Sequence, residues 1–215
     1  IISANQNKVV ISFNNEEFTE ESKDNYIKLI GSKNSTIDRG LPELPMFSFS
    51  YGVNPYKEYS VSYILKASHE INNIDLYPYQ GFQENLDVEG DELYIDSGYR
   101  ESYDNYPRKT LSEVRSTMRG NELLSIDLVP FDYDFSSKNL VIYDEIEITV
   151  EEIGDRRLSI LPTVQKGSRT FQDIYNNLVL GTLDDREIDF QNPSILYICG
   201  GSSLDYTYMD FLLEW

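Results

Sequence analysis

Apolar and polar residues alternate in several short runs along the first 150 residues, which is the pattern of half-buried β-strands. These runs cover residues 8–13, 26–30, 47–51, 59–65, 123–129 and 140–150. A turn-rich segment, residues 130–139, separates the last two runs, and no long helical stripe intervenes between any of them. The spacing predicts a mainly β chain, with an antiparallel β-sandwich or a barrel over residues 1–153.

One segment of this region, residues 96–109, is polar and aromatic and shows no period. It is long for a connection between β-strands, so we predict a projecting loop that either has a function or is loosely ordered. The loop carries Arg100, Arg108 and Lys109 on an otherwise acidic domain. Each of these is either a solvated side chain or a group that enters an acidic pocket on another domain.

The character of the sequence changes after residue 153. Residues 154–170 combine glycine and proline with several basic residues, and residues 171–180 form a short amphipathic stretch. We interpret residues 154–190 as a linker that contains this amphipathic segment.

The last part of the chain, residues 191–215, has the pattern of a strand followed by a helix. The continuous apolar run at residues 194–199 is typical of a strand that is covered on both faces, as in parallel sheets. Two glycines follow it, and four apolar residues then share one helical face: Tyr208, Phe211, Leu212 and Trp215. A single strand and helix cannot bury both of these apolar surfaces. We therefore predict the first βα unit of a truncated α/β domain.

The formal net charge of −19 limits the classes of partner. A surface this acidic repels phosphate backbones and anionic lipid headgroups, so we expect neither nucleic acid nor a membrane surface as a partner. No stretch of the sequence is long and apolar enough to span a membrane. Cys199 is the only cysteine, so the chain cannot form an internal disulfide bond.

The sequence offers few residues for catalysis or metal binding. His69 and Cys199 could form a nucleophilic pair, but a buried core position explains the cysteine more simply. One histidine and one cysteine do not make a zinc site either. Two pairs of aspartates are candidate calcium ligands, namely Asp132 with Asp134 and Asp184 with Asp185. Such turn residues are usually solvated. We therefore predict that the chain has no cofactor, and calcium is the one metal that the sequence does not exclude.

Six tyrosines suggest a different class of function, because aromatic rings stack on sugars. They are Tyr77, Tyr79, Tyr94, Tyr99, Tyr103 and Tyr106. A noncatalytic adhesion or carbohydrate-binding β-sandwich of a surface protein is therefore one alternative. Core or interface positions explain the tyrosines on strands more simply.

Several segments, taken in order, are similar to those of a known family. The hexapeptide GLPELP at residues 40–45 looks like a G-x-P-x-L-P signature displaced by one position. The other similar segments are residues 106–107, 118–120, 124–133, 140–150, 194–199 and 211–215. Together they resemble the gingipain-type cysteine peptidase family, namely its N-terminal prodomain followed by the first strand and helix of its catalytic domain.

The resemblance implies both a fold and a function. The prodomain of this family is a β-sandwich that assists folding and keeps the peptidase latent, and the catalytic domain is caspase-like with a histidine–cysteine dyad. That dyad would lie beyond Trp215, so neither His69 nor Cys199 takes the role and the chain has no catalytic residue of its own. A basic residue on a prodomain loop can occupy the substrate pocket. Arg100 is the first candidate here, with Arg108 and Lys109 as rivals.

The resemblance also implies partners and a location. The partners would be the chain's own catalytic domain and, for the whole protein, its protein substrates. Members are often exported through the periplasm by type IX secretion, so we expect the protein outside the cell or on its outer surface. A secretion-system subunit with a repurposed peptidase fold is the remaining alternative.

Overall fold

The computed structural model describes residues 3–4, 8–15, 18–23, 25–31, 34–81, 93–119, 121–157 and 169–180. The strands in these residues are β1 (Ser3–Ala4), β2 (Lys8–Asn14), β3 (Thr19–Lys23), β4 (Tyr26–Ile30), β5 (Asn34–Ser35), β6 (Pro45–Gly52), β7 (Lys57–Ile71), β8 (Asn105–Tyr106), β9 (Leu111–Met118), β10 (Asn121–Leu128), β11 (Phe131–Asp134), β12 (Asn139–Asp155) and β13 (Val179–Leu180). The helices are α1 (Ser97–Ser102) and α2 (Arg169–Leu178).

The first sheet is built around β12, which is 17 residues long. β7 pairs with one edge of β12 along most of its length. On the opposite edge, β2 pairs with residues 145–151 and β11 pairs with residues 139–142. β1 extends the sheet beyond β2, and β8 extends it beyond β11. All of these pairs are antiparallel.

The second sheet consists of β9, β10, β6 and β13 in that order, and β5 also pairs with β6. β10 lies between β9 and β6, and both of these pairs are antiparallel. The short strand β13 runs parallel to β6. β3 and β4 form a separate antiparallel hairpin.

Side chains from the two sheets meet in a common apolar interior. Ile146 and Ile148 of β12 are fully buried, and they share a cluster with Leu128 of β10 and Phe49 of β6. Alternate residues of a strand point to the same face, which explains why the apolar even-numbered positions of β12 are the buried ones. Burial of each such side chain stabilises the fold by about 1.5–3 kcal/mol.

Helix α2 covers the other face of the second sheet. Leu124 of β10 belongs to the interior between the sheets, so its neighbour Leu123 points to the opposite face. There Tyr175 of α2 and Val179 of β13 bury Leu123. The amphipathic stretch predicted at residues 171–180 corresponds to this helix and strand.

The predicted fold class, a mainly β chain with antiparallel sheets, is confirmed. The finer prediction of a sandwich and the division into domains at residues 153 and 190 stay predictions. The βα unit predicted at residues 191–215 lies outside the described residues. Neither helix in the described part of the chain has the length and apolar character needed to cross a membrane.

Two local predictions are wrong. The segment 130–139 contains β11, and only residues 135–138 form a turn. Asp132 and Asp134 were expected in a turn, but they occupy alternate positions of β11, a strand that is too short to show a clear period. Residues 96–109 do not form a projecting loop, because they contain α1 and β8. A six-residue helix is likewise too short to display the helical period.

Candidate functional site

The candidate basic residues lie on and after helix α1, which is fixed at both ends. The Asp96 carboxylate caps its first turn by accepting a hydrogen bond of 2.9 Å from the Tyr99 N–H. At the other end the Tyr103 N–H donates to the Tyr99 carbonyl, also at 2.9 Å. The helix therefore begins and ends at defined hydrogen bonds.

Strand β8 attaches the following residues to the first sheet. Tyr106 pairs with Tyr133 of β11, and its side chain is buried. Its hydroxyl donates a hydrogen bond of 2.8 Å to Asp38. Burial raises the pKa of Tyr106 above its ordinary value, so the phenol stays protonated, and able to donate, further into the alkaline range. Residues 107–110 lead from this anchor directly into β9.

Arg100 packs against its own domain. Its guanidinium carbon lies 4.9 Å from the centroid of the Phe135 ring, a cation–π distance. Its Nε atom is buried and has no hydrogen-bond partner among the described residues. This side chain is therefore only partly accessible to another protein.

Arg108 and Lys109 are exposed, and a cluster of aromatic rings supports Arg108. The guanidinium carbon of Arg108 lies 4.2 Å from the centroid of the Tyr103 ring. That ring lies 4.8 Å from the ring of Tyr99, which in turn lies 5.8 Å from the ring of Tyr106. The exposed arginine is thus connected to the buried anchor of β8 through three tyrosines.

An open cleft of about 720 Å³ lies beside these residues. Its aromatic and charged lining residues include Tyr63, Tyr103, Asp104, Arg108, Lys109 and Asp132. Tyrosine and arginine are enriched in surfaces that contact other proteins, whereas lysine and aspartate are depleted there, so Tyr63, Tyr103 and Arg108 are the lining residues that fit such a surface best. We call this surface the basic cleft.

Much of the basic cleft could not be found from the sequence. Tyr63 lies on β7, Asp132 on β11 and Tyr143 on β12, so strand pairing joins residues that are far apart along the chain. The alternation at residues 59–65 indicated an apolar face that includes Tyr63. Nothing in that pattern indicated that, among the described strands, this one lies at the edge of its sheet.

His69 interacts with the neighbouring strand of the first sheet. Its Nδ1 atom lies 2.8 Å and 2.9 Å from the two carboxylate oxygens of Asp144 on β12. Cys199 lies outside the described residues. That neither His69 nor Cys199 is catalytic stays a prediction.

The aspartates considered for calcium have other partners where the structure describes them. The Asp134 carboxylate accepts hydrogen bonds from the Ser136 hydroxyl and from two backbone N–H groups, which lowers its pKa to about 2. Asp132 accepts a hydrogen bond of 2.9 Å from the Asn105 amide. The described residues contain no group of three or more potential metal ligands. Asp184 and Asp185 lie outside these residues, and calcium binding stays untested.

The tyrosines considered for sugar stacking differ in accessibility. Tyr77 and Tyr106 are buried and cannot present a ring face to a ligand. Tyr94 is exposed, but its ring lies 4.9 Å from the guanidinium carbon of Arg39. The exposed ring of Tyr103 faces Arg108 in the same way.

Comparison with known proteins decides the family. A family model described as Propeptide_C25 matches residues 27–186. The chain belongs to this family. The resemblance to gingipain-type prodomains is therefore confirmed. Among curated proteins, none matches the chain.

Two solved structures share the fold of this Propeptide_C25 chain. The complex of the pro- and mature domains of RgpB from Porphyromonas gingivalis matches with a TM-score of 0.64 and 20% identity, over 83% of this chain and 95% of that chain. A structure on the zymogenic latency of gingipain K from Porphyromonas gingivalis matches with a TM-score of 0.55 and 17% identity, over 70% of this chain and 89% of that chain. At these identities the likeness establishes the fold.

Proposed function

We propose that this chain is the latency and folding domain of a secreted gingipain-type cysteine endopeptidase. It docks on the catalytic domain of the same protein and inserts Arg108, with Lys109 beside it, into the substrate pocket until cleavage separates the two domains. The observation that carries the proposal is an exposed arginine, supported by a cluster of aromatic rings beside an open cleft, in a chain of the propeptide family.

The local geometry favours Arg108 among the three candidates. The side chain of Arg100 is engaged with Phe135, and its withdrawal from that ring would cost a cation–π contact. Arg108 is exposed and already directed to the surface by Tyr103. A side chain that is ordered before binding loses less conformational entropy when the complex forms. Lys109 is exposed as well, and among the described residues no aromatic ring supports it in the way that Tyr103 supports Arg108.

The chemistry of arginine fits occupation of a pocket in a peptidase. Its guanidinium stays charged at all relevant pH values and offers five N–H donors in a planar arrangement. A carboxylate in the pocket can accept two of these hydrogen bonds at once, which gives both affinity and orientation. Lys109 would supply a point charge at the rim.

The remaining parts of the proposal concern location and partners. Membership of the propeptide family supports a protein that acts outside the cell or at its outer surface, with type IX secretion through the periplasm as the proposed route. Protein substrates would meet the catalytic domain only after the chain is released. The net charge of −19 argues against nucleic acid as a partner.

The test is to titrate the intact chain into the catalytic domain of the same protein and to follow hydrolysis of a fluorogenic peptide. We expect hydrolysis to slow as the chain is added. Arg108→Ala should raise the inhibition constant at least about thirtyfold, because removal of one partner from a buried charged hydrogen bond costs about 2 kcal/mol or more. Hydrolysis that does not slow even at a large excess of the chain would refute the latency function.

Two further variants test whether the effect is specific to Arg108 or follows from the removal of any arginine. Arg39 is also exposed and also lies over a tyrosine ring, that of Tyr94, but it does not line the basic cleft. Arg39→Ala should therefore leave the inhibition constant unchanged. Arg100→Ala should have a small effect, since its side chain is packed on Phe135. A larger effect from Arg100→Ala than from Arg108→Ala would transfer the blocking role to Arg100.

A further inference from the structure

One edge of strand β7 is open in the part of the chain that the structure describes. The strand is 15 residues long and pairs with β12 along one side. Within the described residues no strand pairs with its other side. A row of unpaired backbone N–H and C=O groups is a template for another strand, and proteins normally shorten, charge or cover such an edge.

The middle of β7 exposes apolar side chains at this edge. Tyr63, Ile64 and Leu65 are 40%, 55% and 40% exposed, and we call them the β7 apolar row. Tyr63 and Leu65 are paired with Ile148 and Ile146 of β12, which are fully buried. Directly paired residues lie on the same face of a sheet, so Tyr63 and Leu65 continue the core-facing side and are only partly covered. Ile64 pairs with Glu147 and lies on the opposite face, so a strand added to the edge, whose side chains alternate between the two faces, can contact all three residues.

The apolar row is continuous with the basic cleft. Tyr63 lines the cleft together with Arg108 and Lys109. β9 approaches the start of β7, where the Arg115 guanidinium donates a hydrogen bond of 2.9 Å to the Lys57 carbonyl, and the apolar row lies beyond this contact. A partner that reaches Arg108 would therefore meet the apolar row without crossing any other part of the surface.

Charge identifies the kind of partner that fits. The heptapeptide YSVSYIL at residues 59–65 contains no charged residue, although the whole chain carries a net charge of −19. A neutral strand lets a polypeptide approach the edge closely. A second copy of the chain is disfavoured, because two molecules of this charge repel each other.

We propose that the open edge of β7 and its apolar row form a second docking surface for the catalytic domain of the same protein. The catalytic domain adds an extended segment to the edge and covers Tyr63, Ile64 and Leu65 with its side chains. The inference rests on the proposed latency function and assigns it a binding surface separate from the blocking arginine. Arg108 gives specificity for the pocket, and β7 supplies apolar contact area.

The test compares two matched substitutions in the intact chain. For each variant, the dissociation constant is measured with a catalytic domain whose catalytic cysteine is replaced by alanine. Ile64→Asp should raise the dissociation constant about tenfold, because the apolar contact is lost and a charge is desolvated. Ile174→Asp on α2, where the isoleucine is 49% exposed, should leave it unchanged. Thermal denaturation of both variants checks that they are folded.

Hydrogen exchange of the unaltered chain gives a readout that requires no substitution. On addition of the catalytic domain, amides of β7 on the side away from β12 should gain protection. If Arg108→Ala weakens inhibition while Ile64→Asp binds normally and β7 gains no protection, the second docking surface is wrong and the latency function stands. If the unaltered chain does not bind at all, the latency function itself fails. A chain that dimerises alone, and becomes monomeric on Ile64→Asp, would assign the edge to a second copy and overturn the proposal.

Discussion

Replacement of Tyr103 by alanine removes the ring that supports Arg108, and we expect the inhibition constant for the catalytic domain to rise. The guanidinium carbon lies 4.2 Å from the ring centroid, and both side chains are exposed. A cation–π contact at an exposed site contributes about 0.5–1 kcal/mol, which corresponds to an increase of about two- to fivefold. Tyr103→Phe keeps the ring and should behave like the unaltered chain.

A double-mutant cycle shows whether Tyr103 acts through Arg108. Inhibition constants would be measured by fluorogenic peptide hydrolysis for the unaltered chain, both single alanine variants and the double variant. If the ring only positions the guanidinium, Tyr103→Ala should have no further effect once Arg108 is alanine. Thermal denaturation would show that all four proteins are folded.

Equal effects of Tyr103→Ala in the two backgrounds would refute this reasoning, since the tyrosine would then contact the catalytic domain directly. An effect of Tyr103→Phe as large as that of Tyr103→Ala would also refute it. The hydroxyl would in that case carry the interaction, and the ring face would be irrelevant.

Three further predictions concern the stability of the chain. Tyr133→Phe removes the hydroxyl that donates to the buried Ile74 carbonyl at 2.8 Å, and should lower the free energy of unfolding in urea by about 1–2 kcal/mol; an unchanged urea midpoint would contradict this. Glu122→Gln removes the negative charge of the carboxylate that pairs with Arg115 on β9 and with Arg156 just after β12. The free energy of unfolding should fall by about 2 kcal/mol in the same assay. A variant as stable as the unaltered chain would mean that this cluster of charges contributes nothing to stability. Hydrogen bonds to the Asp134 carboxylate lower its pKa in the folded chain to about 2. These hydrogen bonds therefore stabilise the fold fully at pH values above the pKa of the same carboxyl in the unfolded chain, and the stabilisation is lost as the pH falls through about 2. The thermal midpoint of Asp134→Ala should therefore vary less with pH than that of the unaltered chain between about pH 5 and about pH 2, and identical pH profiles would be the opposing result.

The long strands could be predicted because their signal is local. Alternation along β12 depends only on which face of the strand is buried, and Ile146, Ile148 and Val150 are indeed buried. The family could be predicted for a related reason, since it depends on the order of short segments along the chain. Neither prediction requires knowledge of which strands are neighbours.

The site depends on packing between distant segments, which a single sequence does not reveal. Arg100 and Arg108 look equivalent in the sequence, because both lie in one polar and aromatic segment. Only the fold shows that Phe135 lies beneath Arg100 and that Tyr103 presents Arg108 at the surface. In the same way, the exposure of Tyr63 follows from the position of β7 at the edge of the sheet that the described residues form, and not from its own sequence.

Steady-state kinetics of the catalytic domain at several concentrations of the intact chain would test most directly whether the chain blocks the substrate pocket. If Arg108 occupies that pocket, inhibition is competitive: the apparent KM for the peptide rises, kcat is unchanged, and the effect is largely lost with Arg108→Ala. A fall in kcat at constant KM would contradict the proposal, because the chain would then slow the enzyme from a site that the substrate does not share.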